Sequence, residues 1–283
     1  MIPIGERING SFADVRAAIL AKDKRHVQDL ALMQQKAGAA YLDCHVGAAV
    51  VDEAGAMRWL VEAVQEATDT PLSIDSRKLE VIKAGLQAVR NPNGSVINSC
   101  TGDEAQLDIY IPLALENNAS LVARTLTRDG VPRNADERVS IAATIVTKAM
   151  EYGLPAERLF VDPVLMPVNL YGVQEQPRYA LSALHQIRAL AHPDIHMICG
   201  LSNISQGTRE RPLMNRTFLA MAVEAGLDAA IVDVLDAELM DAWITAEVLM
   251  NRQVYSDSYL RAVRLAGSGA RSGPENDEPE SAT

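Results

Sequence analysis

Short apolar runs alternate with amphipathic stretches along most of this chain. The apolar runs at residues 2–4, 40–42, 71–74, 95–97, 120–123, 159–161, 195–199 and 229–232 read as strands buried on both faces. The stretches at 25–37, 54–67, 78–89, 106–117, 135–152, 178–191, 215–225 and 237–251 read as helices. Met57, Leu60, Val61 and Val64 give the helical spacing i, i+3, i+4, i+7. Gly38, Asn118, Gly153 and Gly226 stand where left-handed caps end helices. A further short helix at 12–20 follows the first strand, with Ser11 as its expected N-cap.

Strands alternating with helices imply parallel pairing and right-handed crossovers. Eight such units within about 250 residues predict a single closed (β/α)8 TIM barrel, an α/β fold. The barrel is expected over residues 1–265. Residues 266–283, rich in Gly, Ser, Pro and acids, are expected to form a disordered tail.

Composition narrows the class. The chain has 283 residues, 48% of them hydrophobic, which is enough for one large core. A net charge of −11 without a basic stripe argues against a nucleic-acid partner. No apolar run approaches the ~20 residues of a membrane span, and Met1-Ile2-Pro3-Ile4 runs directly into Glu6-Arg7. A cytoplasmic location is therefore expected. Cys44, Cys100 and Cys199 are odd in number and far apart, so no disulfide framework is expected. They also lack the paired short spacing of a structural zinc site, and no metal is expected.

A barrel carries its chemistry at the C-terminal ends of its strands. Here those ends read Gly5-Glu6-Arg7-Ile8-Asn9, Asp43, Asp75-Ser76, Asn98-Ser99, Arg124, Asp162, Ser202-Asn203 and Asp233. One Asp at such a place is an ordinary cap or turn former. Six or more polar residues along one rim point to a binding site. The most informative stretch is Gly200-Leu201-Ser202-Asn203-Ile204-Ser205-Gln206, which runs on to Arg211-Pro212. It offers neutral hydrogen-bonding groups, with no nucleophile–base pair and no typical metal ligand set. That inventory suits a polar heterocycle better than a phosphate. His192 and His196 flank a Pro-Asp turn on the opposite side of the barrel and read as surface structure.

Gly5-Glu6-Arg7-Ile8-Asn9-Gly10, Leu42-Asp43 with Val46-Gly47, Ile74-Asp75-Ser76, Ile97-Asn98-Ser99, Val161-Asp162-Pro163, the Gly200–Gln206 stretch and Asn215-Arg216-Thr217-Phe218-Leu219-Ala220 resemble the pterin-binding methyltransferases. Within that family the pattern is most similar to the methyltetrahydrofolate:corrinoid/iron–sulfur protein methyltransferases, and it covers about residues 1–262. The folate domain of cobalamin-dependent methionine synthase is a more distant relative. The resemblance implies that a methyl group moves between N5 of tetrahydrofolate and the cobalt of cobalamin. The corrinoid would be supplied by a partner protein, and the chain would be a homodimer. It further implies that Asp75, Asn98 and Asp162 hold the pterin ring and that Asn203 lies near N5, with Glu6, Asn9, Asp43, Ser202 and Gln206 completing the pocket. Arg209 and Arg211 are candidates for contacts with the folate's glutamate tail or the partner.

A pterin edge carries an amino group, ring N–H donors and a carbonyl, which two carboxylates and an amide complement. Displacement of the methyl group from N5 leaves an amine that must be protonated, and a neutral amide can stabilise the developing N–H. His45 stands where the family has Asn in an Asp-x-Asn run, which leaves the direction of transfer and the corrinoid contact open. Two alternatives remain. Dihydropteroate synthase shares barrel and pocket but needs cations for a pyrophosphate, where this chain has Val232-Asp233-Val234-Leu235-Asp236. A non-catalytic folate-binding subunit would retain the pterin ligands and could dispense with Asn203.

Overall fold

The computed structural model describes residues 1–48, 50–90 and 94–255. Eight parallel strands close a barrel in strict chain order. They are β1 (Ile2–Gly5), β2 (Tyr41–His45), β3 (Leu72–Asp75), β4 (Val96–Thr101), β5 (Ser120–Arg124), β6 (Leu159–Asp162), β7 (His196–Gly200) and β8 (Ala229–Val232). Around them lie α1 (Ala13–Ala21), α2 (Lys24–Lys36), α3 (Glu53–Gln65), α4 (Leu79–Ala88), α5 (Glu104–Glu116), α6 (Ala135–Tyr152), α7 (Gln176–Leu190), α8 (Arg211–Glu224) and α9 (Ala237–Leu249). The predicted barrel is present. The predicted tail, 266–283, lies outside the described residues.

The strand alternation divides the core in two. Inward residues Ile4, Val96, Val122, Phe160, Ile198 and Ala229 form a small cluster inside the barrel. Outward residues such as Leu42, Ile74, Ile97, Leu121, Val161 and Val232 join the larger layer between strands and helices. Met57, Leu60, Val61 and Val64 are completely buried in that layer, as their spacing requires. Cys44, Cys100 and Cys199 lie there too, unoxidised and buried.

Helix ends follow local chemistry. Asp23, Asp52, Asn134 and Asp236 accept backbone N–H bonds as N-caps. Gly153 closes α6 in the left-handed region at φ +77°, where a Cβ would be strained. Two expectations need correction. Phe12, not Ser11, precedes α1, and it makes no side-chain cap; the Ser11 N–H instead donates to Asn9 Oδ1 at 2.8 Å. Helix α8 starts at Arg211, not near Asn215, because Pro212 occupies its first turn, where a missing N–H costs nothing.

His196 also differs from its expected surface role. Its ring stacks on Phe160 at a centroid distance of 4.7 Å, and its Nδ1 lies 3.1 Å from Asp228 Oδ2. It plugs the barrel floor, whereas exposed His192 pairs with Asp194 at 3.6 Å. No helix among the described residues is long and apolar enough to cross a membrane.

Candidate active site

The inward positions continue one residue beyond the apolar cluster and set the chemistry of the mouth. In β2, Asp43 and His45 share the inward face with Tyr41. In β3 it is Asp75 after Ser73, in β4 Asn98 after Val96, in β5 Arg124 after Val122, and in β6 Asp162 after Phe160. Glu6 and Asp233 extend the same faces of β1 and β8. The barrel thus brings together, by period two alone, most of the residues that the sequence singled out.

They form two levels. The lower is a floor of buried Asp43 and Asn98 with half-buried Asp75 and Asp162. Asp43 Oδ1 accepts from Ser73 Oγ at 2.6 Å and from Asn98 Nδ2 at 3.0 Å, and Asp43 also hydrogen-bonds Asp75. Burial, reinforced by the charge of Asp75, pushes the Asp43 carboxyl up to about 7. Burial raises Asp75 to about 6 against the lowering pull of Arg124, Arg77 and the bond to Asp43. Burial thus raises both carboxyls, and the pair shares a proton across their mutual hydrogen bond. Burial likewise raises Asp162 to about 6, opposed by the Val164 N–H at 2.7 Å and by Arg124 and Arg138.

Asp162 is held from behind. Arg138 on α6 is fully buried and donates to the carbonyls of Pro163 (2.7 Å), Pro132 and Asn134 (both 3.1 Å) and Val164 (3.4 Å), and to Gln176 Oε1 (2.5 Å). The loop it grips contains Val164 at φ +63°, an unfavourable region for a β-branched residue. The amphipathic pattern gave no hint of Arg138, because a single Arg on an apolar helix face reads as a solvated edge.

The upper level is an open cleft of about 470 Å³ lined by Glu6, Asn9, Ser202, Asn203, Gln206, Arg211, Asn215 and Asp233, among others. Ser202 and Asn203 lie in a 3-10 turn directly after β7. A Cβ at Gly200 would stand 2.9 Å from Asn203 Nδ2, so a larger residue there would displace the Asn203 amide. The Ser202 hydroxyl donates to Glu6 Oε1 at 2.6 Å. Burial raises Glu6 to about 7 despite that bond, with the charges of Asp233 and Asp43 adding to the effect and Arg211 opposing it.

Arg211 lies in the cleft wall, donating to Ser205 Oγ at 3.2 Å and to the Ser202 carbonyl at 3.3 Å, whereas Arg209 is exposed and lies outside it. His45 Nδ1 lies 3.1 Å from Asn9 Oδ1, which also accepts from Ser11, so the ring nitrogen donates. Burial lowers the His45 pKa, which leaves the ring neutral with Nε2 unprotonated. Arg7 turns away to Asp14 at 2.7 Å, and Arg216 pairs with Glu238.

Among the described residues, no group of three or more His, Cys, Asp or Glu side chains is arranged to hold a metal ion. A second cleft, about 750 Å³, lies outside the barrel between α2 and α9, against Met33, Leu235, Met240 and Ile244. It is mainly apolar and lacks convergent ionisable groups.

The mouth of this parallel barrel thus sets carboxylates and amides around a polar pocket. The sequence model for pterin-binding enzymes matches residues 6–233, and the chain belongs to that family. It is 32% identical over 273 residues to the methylcorrinoid:tetrahydrofolate methyltransferase of Eubacterium limosum, covering 95% of this chain and 98% of that one. It is 30% identical over 243 residues to methionine synthase of Mycobacterium tuberculosis, covering 82% of this chain but 20% of that longer protein. In fold it is similar to dihydropteroate synthase of Xanthomonas albilineans in complex with 7,8-dihydropteroate, with a TM-score of 0.63, 17% identity, and 90% and 94% of the two chains covered. The same enzyme from Thermus thermophilus gives a TM-score of 0.60 at 21% identity, with 82% and 90% covered.

Proposed function

We propose that this enzyme moves a methyl group between N5 of tetrahydrofolate and the cobalt of a corrinoid carried by a separate protein. One observation carries the reading: half-buried Asp75 and Asp162 and buried Asn98 stand at the inward strand ends of the same barrel mouth whose open cleft is lined by Asn203. The floor matches the hydrogen-bonding edge of a pterin, and the rim leaves the opposite side of the ring accessible to a second protein. The full-length similarity to a methylcorrinoid:tetrahydrofolate methyltransferase supports it and favours transfer from corrinoid to folate.

In this reading Asp75 and Asp162 accept from ring and amino N–H groups, and Asn98 adds its amide oxygen, its N–H being committed to Asp43. Asn203 hydrogen-bonds the N5 region where charge changes as the methyl group moves. The amine nitrogen gains a proton in one direction and loses it in the other. Glu6 lines the same cleft as Asn203 and titrates near neutrality, which suits it to hold that proton. Ser202, Gln206 and Asn9 complete the rim, and Arg211 fixes its backbone. Asp233 and Asp236 line the cleft where a pyrophosphate would need cations, which disfavours synthase chemistry. The homodimer implied by the resemblance is part of the proposal and is checked by light scattering.

The test mixes the purified chain anaerobically with methyltetrahydrofolate and cob(I)alamin, and separately with tetrahydrofolate and methylcobalamin, while the cobalt spectrum is followed. Methyl exchange in either direction is the expected result. Tight folate binding with no exchange, even with corrinoid proteins supplied, would leave a folate-binding subunit in its place.

A further inference from the structure

The inward ring at the barrel mouth is rich in acceptors and poor in donors. Of the residues at these inward strand ends, five are carboxylates, Glu6, Asp43, Asp75, Asp162 and Asp233, and Arg124 is the cation among them. The placement of Arg124 follows from its strand: Val122 belongs to the inner cluster and Ala123 to the outer layer, so Arg124 returns to the inside. It sits level with Asp162 on β6 and Thr101 on β4. Its charge acts on both Asp75 and Asp162, and on Asp75 it is the strongest influence opposing burial. Its Nε is buried and has no hydrogen-bond partner among the described residues.

Two arginines that brace this fold, Arg138 and Arg158, behave otherwise. Arg138 directs its donors at four backbone carbonyls and a Gln, and Arg158 satisfies its own on Ala114, Ala119 and Asn118. The buried Arg124 Nε–H, beside the carboxylates it acts on, is a donor that no protein group among the described residues takes up, and it is available to a ligand.

We propose that Arg124 is a further pterin-binding residue: its guanidinium balances the carboxylates of Asp75 and Asp162, and its buried Nε–H donates to an acceptor on the pyrimidine edge of the ring. This rests on the reading of the floor as the pterin site. The floor then reads the ring with both polarities, carboxylates taking its N–H groups and Arg124 serving a ring nitrogen or the carbonyl.

Other groups bear on the same carboxylates. Asp43 acts on Asp75 from β2, with His45 acting on Asp43 beside it and Glu53 on His45. Arg77 acts on Asp75 from the loop after β3 and Arg138 on Asp162 from α6. Cys44 neighbours Asp75 and Cys199 neighbours Asp162 from the outer layer, and Cys100 and Tyr110 interact with Arg124 itself. Any pH dependence belongs to this set, and substituting Arg124 tests its share while leaving the carboxylates in place.

The experiment measures binding of methyltetrahydrofolate to the full chain calorimetrically between about pH 5.5 and 8.5, for wild type, Arg124→Met and Arg124→Lys. Wild-type affinity is expected to fall below about pH 6, as Asp75 and Asp162 take up protons. Arg124→Met is expected to move that fall upward by about one pH unit and to weaken binding roughly tenfold at the alkaline end, with the loss in KM rather than kcat. Arg124→Lys keeps the charge and is expected to restore the position of the fall but only part of the affinity. An Arg124→Met protein with wild-type affinity and an unmoved acid limb overturns the proposal. If circular dichroism shows that variant unfolded, Arg124→Gln replaces it with the same two readouts. A wild-type protein that binds no folate at any pH overturns the pterin reading itself, an outcome distinct from failure at Arg124.

Discussion

The Ser202 hydroxyl donates to Glu6 Oε1 at 2.6 Å, joining residues 196 positions apart in sequence. The bond fixes the turn that carries Asn203 against the end of β1. It also lowers the Glu6 pKa, which burial has raised to about 7. Glu6 is therefore protonated below that pH and ionised above it. Transfer from methyltetrahydrofolate to cob(I)alamin, which needs a proton at N5, is expected to slow as pH rises through about 7. Glu6→Gln should flatten that limb, and Ser202→Ala should move it to higher pH. Rate–pH profiles of the three proteins check both effects.

Asn203→Ala is expected to lower kcat by roughly 100-fold, the scale of losing one donor to developing charge. Methyltetrahydrofolate affinity should change by less than about threefold, since the floor is untouched. Single-turnover rates and equilibrium binding measured together separate the two. Equal losses in both would move Asn203 from transition-state stabilisation to simple binding.

Asp75→Asn and Asp162→Asn are each expected to weaken folate binding by about 10- to 100-fold, because a charge-assisted hydrogen bond is worth about 1.5–3 kcal/mol. Calorimetric titration measures this directly. Unchanged affinity in either variant would move the pterin off this floor.

Asp43 gives a prediction about stability rather than activity. Its folded pKa, about 7, lies above the ordinary carboxylate value of 3.8. The folded chain then binds the extra proton, so stability is greatest at low pH and declines as pH rises from about 4 through 7. Asp43→Asn removes that decline while retaining an oxygen for Ser73 and Asn98. At pH 8 the variant should be more stable by about 2 kcal/mol, or roughly 4–8 °C in Tm, with the difference vanishing near pH 4. Thermal melts across pH test the sign.

Arg138→Ala removes five donors from buried acceptors and is expected to cost about 3 kcal/mol or more. Because those acceptors include the Pro163 and Val164 carbonyls beside Asp162, folate affinity should fall in the fraction that remains folded. Chemical denaturation and binding on the same sample distinguish this from a simple loss of stability.

The barrel was legible because its strands are apolar on both faces and its helices carry one apolar stripe, as Met57 through Val64 illustrate. The site was legible because strand ends place polar residues on one rim, which brought Asp75, Asn98, Asp162 and Asn203 into a single mouth. Three things lay beyond local pattern. The proton held between Asp43 and Asp75 arises from burial and from approach across two strands. Arg138 acts through backbone carbonyls, which have no signature in side-chain sequence. Arg124 stood in the row of strand ends, but its open Nε became visible only with the surrounding contacts in place.

The two-level mouth has a kinetic consequence. The ligand floor lies beneath the rim that a corrinoid protein would cover, so a seated partner blocks the way in and out. Under the proposed function, folate would enter before the partner arrives and leave after it departs, a compulsory order of substrates. Excess corrinoid protein would slow folate exchange by trapping the enzyme with an empty or spent floor, and turnover would peak at an intermediate partner concentration.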